Sequence, residues 1–375
     1  MLSYLLAFAG FSALIILHEL GHFVAAKAVG MRVERFSLFF PPLVWRWRPK
    51  DSETEYAVGA VPLGGYVKIT GMNPEEDLPP QVAERAYYRQ KVWKRIVVIG
   101  AGPVVNIVLA FLILWLLFTV RTLTFAQPAV ESVQPRTPAA QILRPGDRIL
   151  SVDGTPGFAP GIDPETGADR VDDLRAQIAE HQCAGDSPRP GCRATAPVRL
   201  VVLRDGRRST LLVVPRYDAR AKRLLIGFSF ASRRVDYGPA EAAGYSVRTL
   251  WRVTTTTVDS IVRVFYDPEA REQVSGVVGS YEITRRSFEF DTARAAFVLA
   301  IISLSLAVIN LFPFLPLDGG HIFWALAEKL RGRPISFRVM ERAGIVGVML
   351  VLFLVYVGLS NDIGRITSGE GFGVP

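Results

Sequence analysis

Histidine and cysteine are scarce in this chain: 375 residues hold four of the first and two of the second. The two cysteines, Cys183 and Cys192, sit in one short stretch and say little about the whole chain. Charge is missing from long stretches, and none occurs between Leu2 and His18. No basic segment precedes that first apolar run and no small-residue cleavage site follows it, so it reads as a retained span and not a signal peptide. Basic patches interleaved with aromatics for base stacking are also absent. The net charge of +8 therefore does not point to nucleic acid. Its Lys and Arg residues crowd beside apolar runs, as lipid contact and topology signals do. With half its residues hydrophobic and a mean hydropathy of +0.26, the chain is not an ordinary soluble enzyme.

The fold class expected is a polytopic α-helical membrane protein with four spans, a membrane-associated β-hairpin or sheet, and an inserted β-rich domain. The first span covers 1–30, the second 96–120, the third 295–330 with breaks near its middle, and the fourth 343–360. Segment 31–95 carries basic residues from Arg32 to Arg95, and Lys329–Arg342 separates the last two spans. Both read as cytoplasmic, which leaves both termini and the inserted domain, 125–235, outside. Segment 237–290 reads as an amphipathic surface region containing a helix over Tyr237–Phe265 and a flexible stretch over Val274–Ser280.

The chemistry centres on His18-Glu19-Leu20-Gly21-His22. On a helix the two histidines, four apart, share one face and suit a tetrahedral zinc, with Glu19 beside them to take a proton from water. Ionisable groups at membrane depth cost about 2.5–3.5 kcal/mol each, so three together need a function. Two histidines need a third protein ligand, and Asp318 needs a partner, in Asn310-Leu-Phe-Pro-Phe-Leu-Pro-Leu-Asp-Gly-Gly320. Pro313 and Pro316 stop the helix there, and unwound backbone at membrane depth is tolerated where it lines a cavity. A simple helix-capping role for Asp318 is the alternative.

Tyr56–Ile69 reads as two strands meeting at a turn or bulge at Gly64-Gly65, and Gln81–Lys94 as an amphipathic helix. An exposed edge at Gly64 and Gly65 would hold an extended substrate by main-chain hydrogen bonds. In the inserted domain, Pro145-Gly-Asp-Arg-Ile-Leu-Ser-Val-Asp-Gly154 is a turn, a strand and a hairpin turn, and Val171–Glu180 is a helix. This arrangement resembles a bacterial PDZ domain, with 155–170 and 181–197 as inserted loops. Outside the cytoplasm Cys183 and Cys192 are free to pair, and the two prolines and two glycines between them favour a closed loop.

Taken together, the chain resembles the site-2 protease family of intramembrane zinc metalloproteases (peptidase family M50), in its RseP-like bacterial branch with a PDZ domain. His-Glu-Leu-Gly-His, Pro62-Leu-Gly-Gly-Tyr-Val-Lys68, Ala101-Gly-Pro-Val-Val-Asn106 and Asn310 through Asp318-Gly-Gly320 carry the likeness. The resemblance implies one zinc held by His18, His22 and Asp318, with Glu19 as acid/base and Asn310 contacting substrate backbone or a developing oxyanion. It also implies a bacterial inner-membrane location and transmembrane substrates, such as an anti-sigma factor already trimmed by another protease, or signal-peptide remnants. A peptide or protein would bind the PDZ-like domain. Ser275-Gly-Val-Val-Gly lacks the proline of the family's Ser-Gly-Pro-Val-Gly, and one PDZ-like domain stands where some relatives have two. A non-enzymatic membrane adaptor and a metal transporter are the rival readings. The intact Glu19 speaks against the first, and convergence of the ligands on one point against the second.

Overall fold

The structure is a computed structural model that describes residues 1–73, 76–183, 191–219, 221, 223–333, 335–368 and 372. The chain divides into two compact units: Met1–Thr119 with Pro239–Pro375, and Val120–Gly238.

In the first unit, α1 (Leu2–Ala28) leads into β1 (Val33–Trp47) and β2 (Glu55–Ile69). Short α2 (Pro80–Ala83) and a 3-10 turn over Tyr87–Arg89 precede α3 (Val92–Val120). Four helices among the described residues are long and apolar enough to cross a membrane: α1, α3, Thr292–Asn310 and Arg338–Thr367. Ala26, Met31, Val33, Ile69, Tyr87, Val98 and Ile99 form a buried cluster under the start of the sheet. Full burial of side chains such as Met31 and Val33 contributes roughly 1.5–3 kcal/mol each.

The sheet has the expected reversal within Tyr56–Ile69, ending at the paired glycines. Along 35–38 the partners rise from Glu55 to Val58 on one side and fall from Lys68 to Gly65 on the other, so the chain reverses across 59–64 as well as between Trp47 and Glu55. Residues 33–38 lie centrally, because Leu38 partners both Val58 and Gly65 and Ser37 both Ala57 and Tyr66. Segment 65–69 is thus an outer strand. The paired glycines serve close approach: a methyl on Gly64 would meet the Phe40 ring, and one on Gly65 would lie 3.0 Å from Glu19 Cγ. The helix expected over 81–94 does not form. Tyr87 and Tyr88 N–H donate to the carbonyls of Thr70 and Gly71, at 2.9 and 3.2 Å, so these backbone groups continue the sheet end instead.

The second unit orders β3 (Leu123–Val133), β4 (Arg148–Val152), β5 (Thr155–Pro156), α4 (Pro164–Ala179), β6 (Val198–Arg204), β7 (Arg207–Val213), β8 (Arg216–Asp218), β9 (Arg223–Leu225) and β10 (Phe228–Val235). The antiparallel sheet runs β10-β3-β4-β6-β7, with β5 on β4 and a separate β8-β9 pair. Asp153-Gly154 and Asp205-Gly206 turn their hairpins with positive φ at both residues, the backbone that Asp-Gly tolerates. Ile149, Val152, Leu174, Val198, Leu200 and Val202 fill the core. Nearly inaccessible Asp147 accepts two bonds from the Arg204 guanidinium, both 2.7 Å, and one from Arg144 N–H, 2.8 Å.

Residues 155–170 are not a plain insertion: β5 pairs with β4, and α4 starts at Pro164 because Asp163 accepts the Thr166 N–H at 3.0 Å. Of the other expected insertion, 181–197, residues 184–190 lie outside the described residues. Cys183 and Cys192 flank them and are joined by a disulfide.

Back in the first unit follow α5 (Pro239–Arg263), α6 (Pro268–Gln273), α7 (Val277–Phe290), α8 (Thr292–Asn310), α9 (Asp318–Arg331) and α10 (Phe337–Thr367). The stretch expected to be flexible, 274–280, is instead a helix start clasped from α10. Buried Asp362 accepts the N–H groups of Gly276 and Gly279 at 3.0 and 2.8 Å, and Asn361 donates to the carbonyls of Arg271 and Val274. These polar contacts also extend the fourth apolar helix past the expected 343–360. The third expected span, 295–330, is two helices. α8 stops at Asn310, and after an irregular stretch containing Pro313 and Pro316, α9 restarts at Asp318.

Candidate metal centre

α1 and α3 run antiparallel and close together, since a methyl on Gly21 would sit 2.7 Å from the Ala101 carbonyl oxygen. This presses His18 and His22, both buried, against α3. The ring of His22 is held at Nδ1 by the Val98 carbonyl, 2.9 Å away. The ring of His18 has the Asn106 carboxamide 3.3 Å from its Nδ1. Between them, Gly102 leaves room for both imidazoles: a Cβ there would overlap His22 Nε2 and lie 2.9 Å from His18 Cε1.

Asp318 enters from the first turn of α9. Gly319 and Gly320 let that turn rest on the backbone of Leu311–Leu315, where any Cβ would collide with main-chain atoms. Gly347 of α10 backs the same stretch against the Leu315 carbonyl. The far end of α9 is pinned to α3 by Arg95 and Glu328, 2.7 Å apart, with the Arg95 side chain nearly buried. An acid at a helix N-terminus is favoured by the helix dipole.

Three atoms converge. Asp318 Oδ2 is 3.3 Å from His18 Nε2 and 3.4 Å from His22 Nε2, and the two Nε2 atoms are 3.3 Å apart. Ligands about 2.0–2.1 Å from a tetrahedral zinc stand about 3.3–3.4 Å from each other, so this triangle has the right size. Asp318 Oδ2 is buried and has no hydrogen-bond partner. A buried orphan carboxylate oxygen beside two ring nitrogens is the donor set a metal satisfies. Half-buried Glu19 lies between the histidines in sequence, with the Val67 backbone N–H directed at its carboxylate.

The structure brings together His18, His22 and Asp318, with Glu19 close enough to feel the charge of all three, and sets Gly65 against Glu19. Gly64 packs on Phe40, one residue removed. Asn310 is the last residue of α8, at the start of the irregular stretch, and is not one of the converging residues. Sequence reasoning did not single out Val98, Gly102 or Val67. Asn106, a lone amide in a charge-free span, was the one available signal.

Helices apolar and long enough to cross a membrane thus carry a cluster of two histidines and one carboxylate that could hold a metal ion. The chain belongs to peptidase family M50, which it matches over residues 6–354. It is 30% identical over 372 residues to a Rhizobium meliloti (strain 1021) protein, covering 93% of each chain, and 32% identical over 364 residues to one from Nostoc sp. (strain PCC 7120), covering 94% and 93%. Both bear the name "Putative zinc metalloprotease". The "Regulator of sigma E protease" of Salmonella typhi is 27% identical over 442 residues, covering 94% of this chain and 96% of its own. The protein is thus a multi-pass zinc metalloprotease of the site-2 type, and its general activity is proteolysis within the membrane.

Proposed function

We propose that His18, His22 and Asp318 hold the zinc, that Glu19 is the acid/base, and that the substrate is a transmembrane segment of another membrane protein. The size of the ligand triangle, with an orphan carboxylate oxygen at one corner, carries this reading. Bound there, zinc would supply a Lewis acid for the scissile carbonyl and make water a nucleophile near neutral pH. Glu19 would take the proton from the attacking water and return it to the leaving nitrogen. Asn310, at the mouth of the unwound stretch, would contact the substrate backbone or the developing oxyanion.

A helical substrate must open before hydrolysis, and the outer strand 65–69 is the surface that would hold it extended. Residues two apart in a strand direct their N–H groups to the same edge. The Val67 N–H is aimed at Glu19, so the Gly65 N–H shares the edge that faces the catalytic carboxylate. Strand addition there would place a peptide beside Glu19 whatever its side chains. Gly65→Pro removes the edge donor, while Gly65→Ala intrudes equally on Glu19 and keeps it. Greater loss of cleavage in the proline variant, with zinc retained, is expected; equal loss would sink the edge.

Basic residues flanking the spans support a cytoplasmic location for the sheet and for the α9–α10 connection, with the second unit and both termini outside a bacterial inner membrane. The sheet-and-helix build of that unit supports a PDZ-like domain that binds a peptide or protein. The name of the Salmonella relative supports an anti-sigma factor, trimmed beforehand by another protease, as one substrate class, with signal-peptide remnants as another. Glu19→Gln should keep about one zinc per chain, abolish cleavage and retain substrates for mass spectrometry. Full cleavage by that variant would remove Glu19 from the mechanism.

A further inference from the structure

Val98, Gly102 and Asn106 lie four apart on α3, so a carbonyl, a bare Cα and a carboxamide share one face of that helix. His22 and His18 stack against this face one turn apart. The Val98 carbonyl accepts from His22 Nδ1, which puts the proton there and leaves the lone pair on Nε2, the atom turned to Asp318. His18 has the same requirement. Its Nε2 also faces Asp318, so a neutral ring that ligates through Nε2 must carry its proton on Nδ1 and needs an acceptor there. The group at that position is the Asn106 carboxamide, 3.3 Å away in a residue with no solvent exposure.

The amide orientation in the structure turns Nδ2 toward His18 Nδ1 and leaves Oδ1 buried without a partner. Two N–H groups cannot bond to each other. A half-turn of the amide, whose two ends are nearly the same size, brings the oxygen to the ring nitrogen. We propose that Asn106 is the positioning residue for His18: its amide oxygen accepts the Nδ1–H and holds the Nε2 lone pair on the zinc. Ser303 of α8 donates to the Asn106 carbonyl at 3.0 Å and fixes that turn of α3 from the helix leading toward Asp318. This rests on the assignment of His18 as a ligand, made above.

The test is zinc affinity of the full chain in detergent, stripped of metal and titrated against a chromophoric chelator. Asn106→Leu, which keeps the volume and removes the acceptor, should weaken zinc by about 10–100-fold, as loss of a ligand's outer hydrogen bond does. Asn106→Asp keeps an oxygen at that position and has no N–H, so it should stay close to wild type. The cobalt-substituted Leu variant should show shifted absorption bands while the Asp variant does not. Wild-type affinity in Asn106→Leu would overturn the proposal, and so would equal weakening in the Leu and Asp variants. His18→Ala is measured alongside: if it keeps full zinc affinity, the ligand assignment falls, an outcome distinct from either Asn106 result.

Discussion

Replacing Gly102 by alanine tests the packing of the metal centre directly. The new methyl would overlap His22 Nε2 and Cε1 and press on His18 Cε1. Restoring an ordinary contact of about 3.5 Å requires a movement of about 1 Å. α3 cannot easily supply it, because Ser303 bonds the Asn106 carbonyl and Arg95 is paired with Glu328 on the same helix. The imidazoles therefore have to move, and His22 is restrained on its other nitrogen by Val98. Metal sites tolerate about 0.2 Å in ligand position, so a movement several times larger should weaken zinc at least 10–100-fold, about 1.4–2.7 kcal/mol. Gly100→Ala is the matched control. A methyl there meets only Ile322 Cδ1 at 3.9 Å, and alanine gains up to about 1 kcal/mol of helix propensity. Zinc titration and melting temperature of the two variants are compared. Wild-type zinc affinity in Gly102→Ala would refute the packing argument.

Arg204→Met should cost the second unit about 3 kcal/mol near neutral pH, because it leaves Asp147 buried without its cation, and thermal melts report it. Burial works to raise the Asp147 carboxyl, but the Arg204 and Arg144 hydrogen bonds outweigh it and hold the group below the usual carboxylate range. A carboxyl depressed in the folded state contributes stability above its unfolded pKa and loses it on acidification. Wild type should thus lose stability as pH falls below about 4, and Arg204→Met should lose less over that window. Asp362→Ala should expose the 274–276 segment to limited proteolysis, with a capping loss of about 1–2 kcal/mol, and unchanged digestion would remove the clasp. Cys183 and Cys192 should label with a thiol reagent only after reduction, while equal labelling without reductant would count against the bond in the native protein.

The sequence makes the meeting of His18, His22 and Asp318 legible because two different rules coincide. Helical period alone puts His18 and His22 on one face, and the cost of an acid in an apolar run demands a partner for Asp318. The α3 cradle was not legible. Asn106 and Gly102 acquire their meaning only from the antiparallel register of α1 against α3, which no local pattern encodes. Gly64-Gly65 was legible only in part. Paired glycine is a local turn signal and the chain does reverse just ahead of Gly65, but both glycines also serve tertiary approach, one to Phe40 and one to Glu19, which no local pattern shows. Likewise Ser275-Gly276 reads as loose chain, because the carboxylate that orders it lies more than eighty residues later at Asp362.

The four-residue stripe on α3 facing the histidine pair on α1 has a bearing on how such a chain can change over time. One residue inserted between His18 and His22, or between Val98 and Asn106, rotates everything beyond it by about 100° and shifts it by about 1.5 Å. Neither span can therefore be lengthened or shortened within those windows. Adaptation to a thicker or thinner bilayer has to occur at Leu2–Leu17 and beyond Asn106, where the helices carry no share of the centre. Length variation among descendants of this chain should map to those outer turns, leaving two inner blocks of five and nine residues free of gaps.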